Sequence, residues 1–79
     1  MIRALFFGPV ADRVGAREID LEFRAGMTLQ EVFDACLRSH PEALALVSFV
    51  ALNGVQARDM SVSLADGSEI AFMAKFSGG

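Results

Sequence analysis

The sequence predicts an α+β fold, a mixed sheet of about five strands rolled around one main helix. Three observations predict it. One stretch, from Met27 to about Ser39, carries a complete helix-start signal followed by an apolar stripe at helical spacing. Short runs of β-formers lie on both sides of it, some alternating apolar and polar residues. The breakers Gly8-Pro9, Asn53-Gly54 and Asp66-Gly67 separate those runs. With 79 residues, the chain is expected to be one domain, 1–79, near the lower limit for a self-sufficient core. Hydrophobic residues make up 53% of it, enough to fill that core without a metal or disulfide staple.

Ile2 to Phe7 is rich in β-formers and reads as the first strand, with Ile2, Ala4 and Phe6 on one face and Arg3, Leu5 and Phe7 on the other. Both faces carry large apolar groups, so one packs on the core and the other is covered or used for contact. Pro9 to Val14 is a short helix, with Pro9 in its first turn and Gly15 as its stop. Arg17 to Phe23 alternates Ile19, Leu21 and Phe23 with Glu18, Asp20 and Glu22, a half-buried strand suited to antiparallel pairing with the first. Thr28 then offers an N-cap with Glu31 three residues on, and Met27 and Val32 stand where a hydrophobic staple forms. Leu29, Val32, Phe33, Cys36 and Leu37 make the apolar face of the main helix, which His40-Pro41 ends.

Pro41 to Leu46 adds a further helical turn, and the apolar run Val47 to Leu52 reads as a strand inside the sheet. Asn53-Gly54 turns the chain, and Val55 to Met60 returns loosely. After Asp66-Gly67 the last strand, Glu69 to Phe76, sets Ile70, Phe72 and Ala74 against Ala71, Met73 and Lys75. This order fits the β-grasp (ubiquitin-like) roll, in which the first and last strands lie side by side in mid-sheet. By that analogy Ile2, Ala4, Phe6, Ile70 and Phe72 face the helix. Leu5, Phe7 and Met73 then share the opposite face near the start of the tail and form a candidate partner interface.

Composition excludes several functions. Net charge is -3 and the cations are scattered, so no basic stripe exists to hold a nucleic-acid backbone. The apolar opening Met1 to Phe7 is too short for a signal peptide or a membrane span, which leaves the cytoplasm as the default location. One cysteine and one histidine with no clustered carboxylates make no metal site. The glycines form neither a dinucleotide fingerprint nor a phosphate loop, so no bound cofactor is expected. Cys36 lies on the apolar stripe and reads as a small core hydrophobe rather than a nucleophile. His40 lacks an acidic or thiol partner at motif spacing and reads as a solvated loop residue. Glu31 and Asp34 share a helix face as its solvated side.

The folded body is therefore read as chemically inert, and attention moves to Phe76-Ser77-Gly78-Gly79. Glycine's small bulk and wide φ/ψ range suit a flexible tail, 76–79, that threads a narrow channel with a carboxylate at its tip. The alternative is that Gly78-Gly79 is a frayed end or a cloning scar. A carboxylate is a poor acyl donor, but adenylation turns it into a mixed anhydride open to sulfur or nitrogen nucleophiles. The ATP site for that step belongs to a partner.

The residues Ile2-Arg3-Ala4-Leu5-Phe6-Phe7-Gly8, Val14-Gly15, Met27 to Glu31, Leu52-Asn53-Gly54, Asp66 to Phe72 and Ser77-Gly78-Gly79 resemble the MoaD/ThiS sulfur carriers over nearly the whole chain. The likeness is greatest to the small subunit of molybdopterin synthase, because of the Leu-Phe-Phe opening followed by a helix. The resemblance implies that Gly79 is adenylated by an E1-like adenylyltransferase and converted to a thiocarboxylate. The tail, Phe76 to Gly79, then enters the large subunit of molybdopterin synthase, in an expected heterotetramer, and gives sulfur to cyclic pyranopterin monophosphate to form the dithiolene. The chain would be a sulfur donor and not an enzyme by itself. Two departures stand out. Ala74-Lys75 occupies the place of a frequent Pro-Pro, so the tail base is expected to be less stiff, and Ser68 replaces a common Asp on a turn, a change expected to be harmless. Three other readings stay open at this point: sulfur donation to another acceptor (a thiamine thiazole or a cysteine precursor), a ubiquitin-like protein modifier, and a plain interaction module.

Overall fold

The strands form where β-branched and aromatic residues are bounded by breakers. They are β1 (Ile2–Phe6), β2 (Glu18–Leu21), β3 (Phe49–Leu52), β4 (Val55–Ala57) and β5 (Glu69–Met73). The computed structural model describes residues 1–75; the expected tail, 76–79, lies outside the described residues. Among the described residues the sheet has five strands in the order β2-β1-β5-β3-β4. β1 and β5 run parallel in the middle with Ala4 opposite Ile70 and Phe6 opposite Phe72, and the other pairings are antiparallel. A parallel pair needs a long crossover, and the connection from β1 to β5 contains, among the described residues, three helices. They are α1 (Pro9–Val14), α2 (Leu29–Ser39) and α3 (Pro41–Leu44). This is the β-grasp arrangement, with the first and last strands central as expected.

α2 begins where predicted because its first-turn donors all find acceptors. The Thr28 hydroxyl accepts from the Glu31 N–H (3.2 Å) while Glu31 Oε1 accepts from the Thr28 N–H (3.0 Å), the two halves of a capping box. Leu29 and Gln30 donate to the carbonyls of Val62 and Met60 in the adjoining loop, at 3.0 and 2.8 Å. Leu29, Val32 and Cys36 are buried against Ile2, Ala4, Phe6, Val50, Ile70 and Phe72. Phe72 is at the centre, stacked on Phe6 with centroids 5.6 Å apart and met by Phe33 at 6.0 Å. Each large buried side chain of this kind contributes about 1.5–3 kcal/mol of apolar transfer. The side chains assigned to the helix-facing side of the two central strands are all buried there.

The differences from expectation lie at element ends. β2 stops at Leu21 rather than Phe23 because its partner β1 begins at Ile2, opposite Leu21, and leaves no ladder beyond. β3 begins at Phe49 because Val47 donates to Leu44 and closes the end of α3. β5 ends at Met73, not Phe76. Leu37 is 37% exposed, on the flank of the α2 stripe rather than in the core. Ser68 is a buried turn anchor, its hydroxyl donating to Ala65 O (2.7 Å) and accepting from Ala65 N–H (3.1 Å).

Candidate functional site

The central strand β5 leads to the tail, so its C-terminal end positions whatever the tail does. On one side the Phe7 N–H donates to Phe72 O (3.3 Å), carrying the β1 pairing one residue past Phe6. On the other side the Ser48 N–H donates to Met73 O (2.8 Å), and the Lys75 N–H donates to the Ser48 hydroxyl (3.2 Å). Ala74-Lys75 has no pyrrolidine ring, and Lys75 keeps the N–H that Ser48 accepts. In the sequence the only signal of Ser48 is a hydroxyl inside an otherwise apolar run. Asn53 closes the opposite end of the same ladder. Its N–H donates to Glu69 O (2.7 Å), and its side-chain oxygen accepts from Glu69 N–H (2.8 Å).

The open face of the sheet divides into two zones. Away from the tail it is charged: Arg3 lies between Glu18 (3.2 Å) and Glu69 (3.7 Å), exposed pairs that contribute little stability. Toward the tail it is apolar. Phe7, Gly8, Phe49, Met73 and Ala74 line a hollow of about 200 Å³, with Phe7 49% and Phe49 36% exposed. The structure thus brings together two of the three residues assigned to the interface, Phe7 and Met73. It adds Phe49, which faces Met73 across the β3–β5 pair. Phe49 was legible only as part of a continuous apolar run, whose faces periodicity does not distinguish. Leu5 is half-buried on the same face opposite Ala71 and lines a neighbouring hollow of about 560 Å³ with Phe7, Ala11, Asp12, Arg17 and Glu18. Phe76, Ser77, Gly78 and Gly79 lie outside the described residues.

The folded body offers little reactivity. Cys36 is 1% exposed, and burial pushes its thiol up to about 11, so it stays protonated near neutrality. His40 is half-buried at the joint between α2 and α3, where its N–H donates to Cys36 O. Glu31 is used by the capping box, and Asp34 accepts from Gln30 at 2.9 Å. Among the described residues no three His, Cys, Asp or Glu side chains gather as a metal site, and no helix is long and apolar enough to cross a membrane.

The model of the ThiS family matches residues 4–79, nearly the whole chain. The chain belongs to the ThiS family. Solved structures agree with that assignment in fold. SAMP1 from Haloferax volcanii superposes with a TM-score of 0.84 at 25% identity, covering 99% of this chain and 98% of that one. A structure of H. volcanii small archaeal modifier protein 1 gives 0.76 at 23% identity, covering 90% and 92%. A chain from the complex of subunits 1 and 2 of the molybdopterin-converting factor of Helicobacter pylori gives 0.70 at 23% identity, covering 99% and 97%. A comparison with curated proteins finds no match. This ThiS-family chain therefore has the fold shared by sulfur carriers and ubiquitin-like modifiers, and its family match extends through the Gly78-Gly79 terminus.

Proposed function

We propose that this chain is the sulfur-carrier small subunit of molybdopterin synthase, with Gly79 as the reacting residue. The Gly79 carboxylate attacks the α-phosphorus of ATP held by an E1-like adenylyltransferase, and pyrophosphate leaves. A sulfur nucleophile at the sulfide level then adds to the acyl carbon, AMP leaves, and a thiocarboxylate remains. The tail 76–79 carries that group into the large subunit, where its sulfur passes to cyclic pyranopterin monophosphate. Hydrolysis of the acyl–sulfur bond returns the carboxylate, and two rounds form the dithiolene. The chain holds no cofactor of its own and does no catalysis alone.

The observation that carries this reading is the course of β5. A central strand, paired on both sides, runs toward the tail beside an exposed apolar hollow formed by Phe7, Phe49 and Met73. A docking patch at the end of the strand that precedes the tail suits a carrier that is handed from one enzyme to another. The Leu5-Phe6-Phe7 opening followed by α1, and the likeness to a chain of the H. pylori complex, favour molybdopterin synthase as the destination. A second reading, a protein modifier joined through Gly79 to a lysine, is favoured by the likeness to SAMP1.

The test is intact-mass spectrometry of the chain after incubation with an E1-like adenylyltransferase, ATP and a sulfur donor. Replacement of one oxygen by sulfur at the C-terminus is expected, followed by dithiolene formation on adding the large subunit and cyclic pyranopterin monophosphate. Deleting Gly79 should abolish both and leave the circular dichroism spectrum intact. Sulfur transfer by the Gly79-deleted chain refutes the proposal. Acceptor lysines bearing a Phe76-Ser77-Gly78-Gly79 remnant after trypsin, with no sulfur product, would establish the second reading instead.

A further inference from the structure

The hydrogen-bonding positions of the β3–β5 ladder fall on Glu69, Ala71 and Met73, so the next falls on Lys75. In a regular antiparallel ladder the acceptor for the Lys75 N–H is the carbonyl of residue 47. Here the Val47 N–H is engaged by Leu44 O (3.1 Å) in the turn that follows α3, and the Lys75 N–H is bonded one residue along, at Ser48. The Ser48 hydroxyl accepts that bond at 3.2 Å, while the Ser48 N–H holds Met73 O at 2.8 Å. One residue thus contacts the backbone of β5 and its extension at two points two residues apart. The same residue precedes Phe49, which lines the apolar hollow with Met73 and Ala74.

We propose that Ser48 is a positioning residue at the base of the tail, holding Ala74 and Lys75 in line with β5 beside the Phe7–Phe49–Met73 hollow. Ala74 and Lys75 are thereby held before a partner's channel takes the chain, so fewer residues have to be ordered at that step. Ordering fewer residues leaves a smaller entropy loss at the step where the carboxylate meets ATP. The functional part of this inference rests on the reading that Gly79 is adenylated. The geometric part does not.

The experiment compares the full-length chain with Ser48→Ala, which removes the acceptor, and Ser48→Thr, which keeps it. Amide hydrogen exchange by NMR should show the Lys75 N–H losing about fivefold in protection in Ser48→Ala, the effect of one ordinary hydrogen bond. Phe72 protection should be unchanged, and Ser48→Thr should behave as the unaltered chain does. Adenylation by an E1-like adenylyltransferase, followed by pyrophosphate release, should show Ser48→Ala lowering kcat severalfold at constant KM, with Ser48→Thr restoring it. Unchanged Lys75 protection in Ser48→Ala overturns the proposal, as does lost protection with an unaltered kcat. If the unaltered chain is not adenylated at all, the functional reading fails and the exchange result alone decides the bracket.

Discussion

Phe7→Ala separates docking from folding with a magnitude set by its exposure. A phenylalanine side chain offers roughly 200 Å² for burial. Phe7 is 49% exposed, so roughly 100 Å² remains for a partner to cover, about 2.5 kcal/mol at the usual transfer coefficient. Loss of that contact predicts a Kd for the large subunit weakened by about 70-fold, within the range of a hot-spot residue. Loss of the covered half costs folding stability about the same in transfer free energy, plus a term for any cavity left behind. Phe7→Ala should therefore still fold, with a lower urea midpoint, and binding must be measured at a temperature where it is native. The assay is titration calorimetry against the large subunit beside urea unfolding. Val55→Ala is the control, since Val55 is 70% exposed on the edge strand β4 and outside the hollow. Wild-type affinity in folded Phe7→Ala, or an equal loss in Val55→Ala, would refute the docking face.

Cys36→Ala should cost about 1 kcal/mol in chemical denaturation and leave thiocarboxylate formation unchanged, as expected of a small buried thiol. The same thiol makes stability depend on alkaline pH. Its pKa rises from an ordinary 9.0 to about 11 on folding, so its contribution is whole below pH 9 and is lost as pH climbs to 11. The wild type should lose on the order of 2 kcal/mol over that window relative to Cys36→Ala, read from urea midpoints. Thr28→Ala removes one half of the capping box and should cost about 1 kcal/mol, or about 4–8 °C in Tm. Gly54→Ala should cost about 1–2 kcal/mol by the same measure. Gly54 holds φ +85 with open space where a Cβ would stand, so the penalty is conformational rather than steric.

Local signals made much of the fold legible. The capping box at Thr28 and Glu31, the stop at Gly15 and the paired positive φ angles at Asn53 and Gly54 involve residues at most four apart. Their physics is complete within a few residues, so the elements form where the sequence indicates. The burial of Cys36 followed from its place on a helical stripe for the same reason. Strand ends were less legible, because a strand continues only as far as its neighbour does: Leu21 ends β2 only because β1 starts at Ile2.

The sequence by itself determined the element types, the α2 stripe, the inertness assigned to Cys36, and the family, since these depend on residue order alone. Tertiary structure decided which side chains meet at the base of the tail. Phe7, Phe49 and Met73 come from three stretches separated by dozens of residues, and only the β1–β5–β3 pairing puts them in one hollow. Ser48 is bonded to Lys75 across 27 positions because the β3–β5 pairing brings the two segments side by side. An isolated hydroxyl in an apolar run carries no trace of that partner. Long-range hydrogen bonds and exposed faces are set by which backbones lie side by side, and periodicity along one chain does not encode the neighbour.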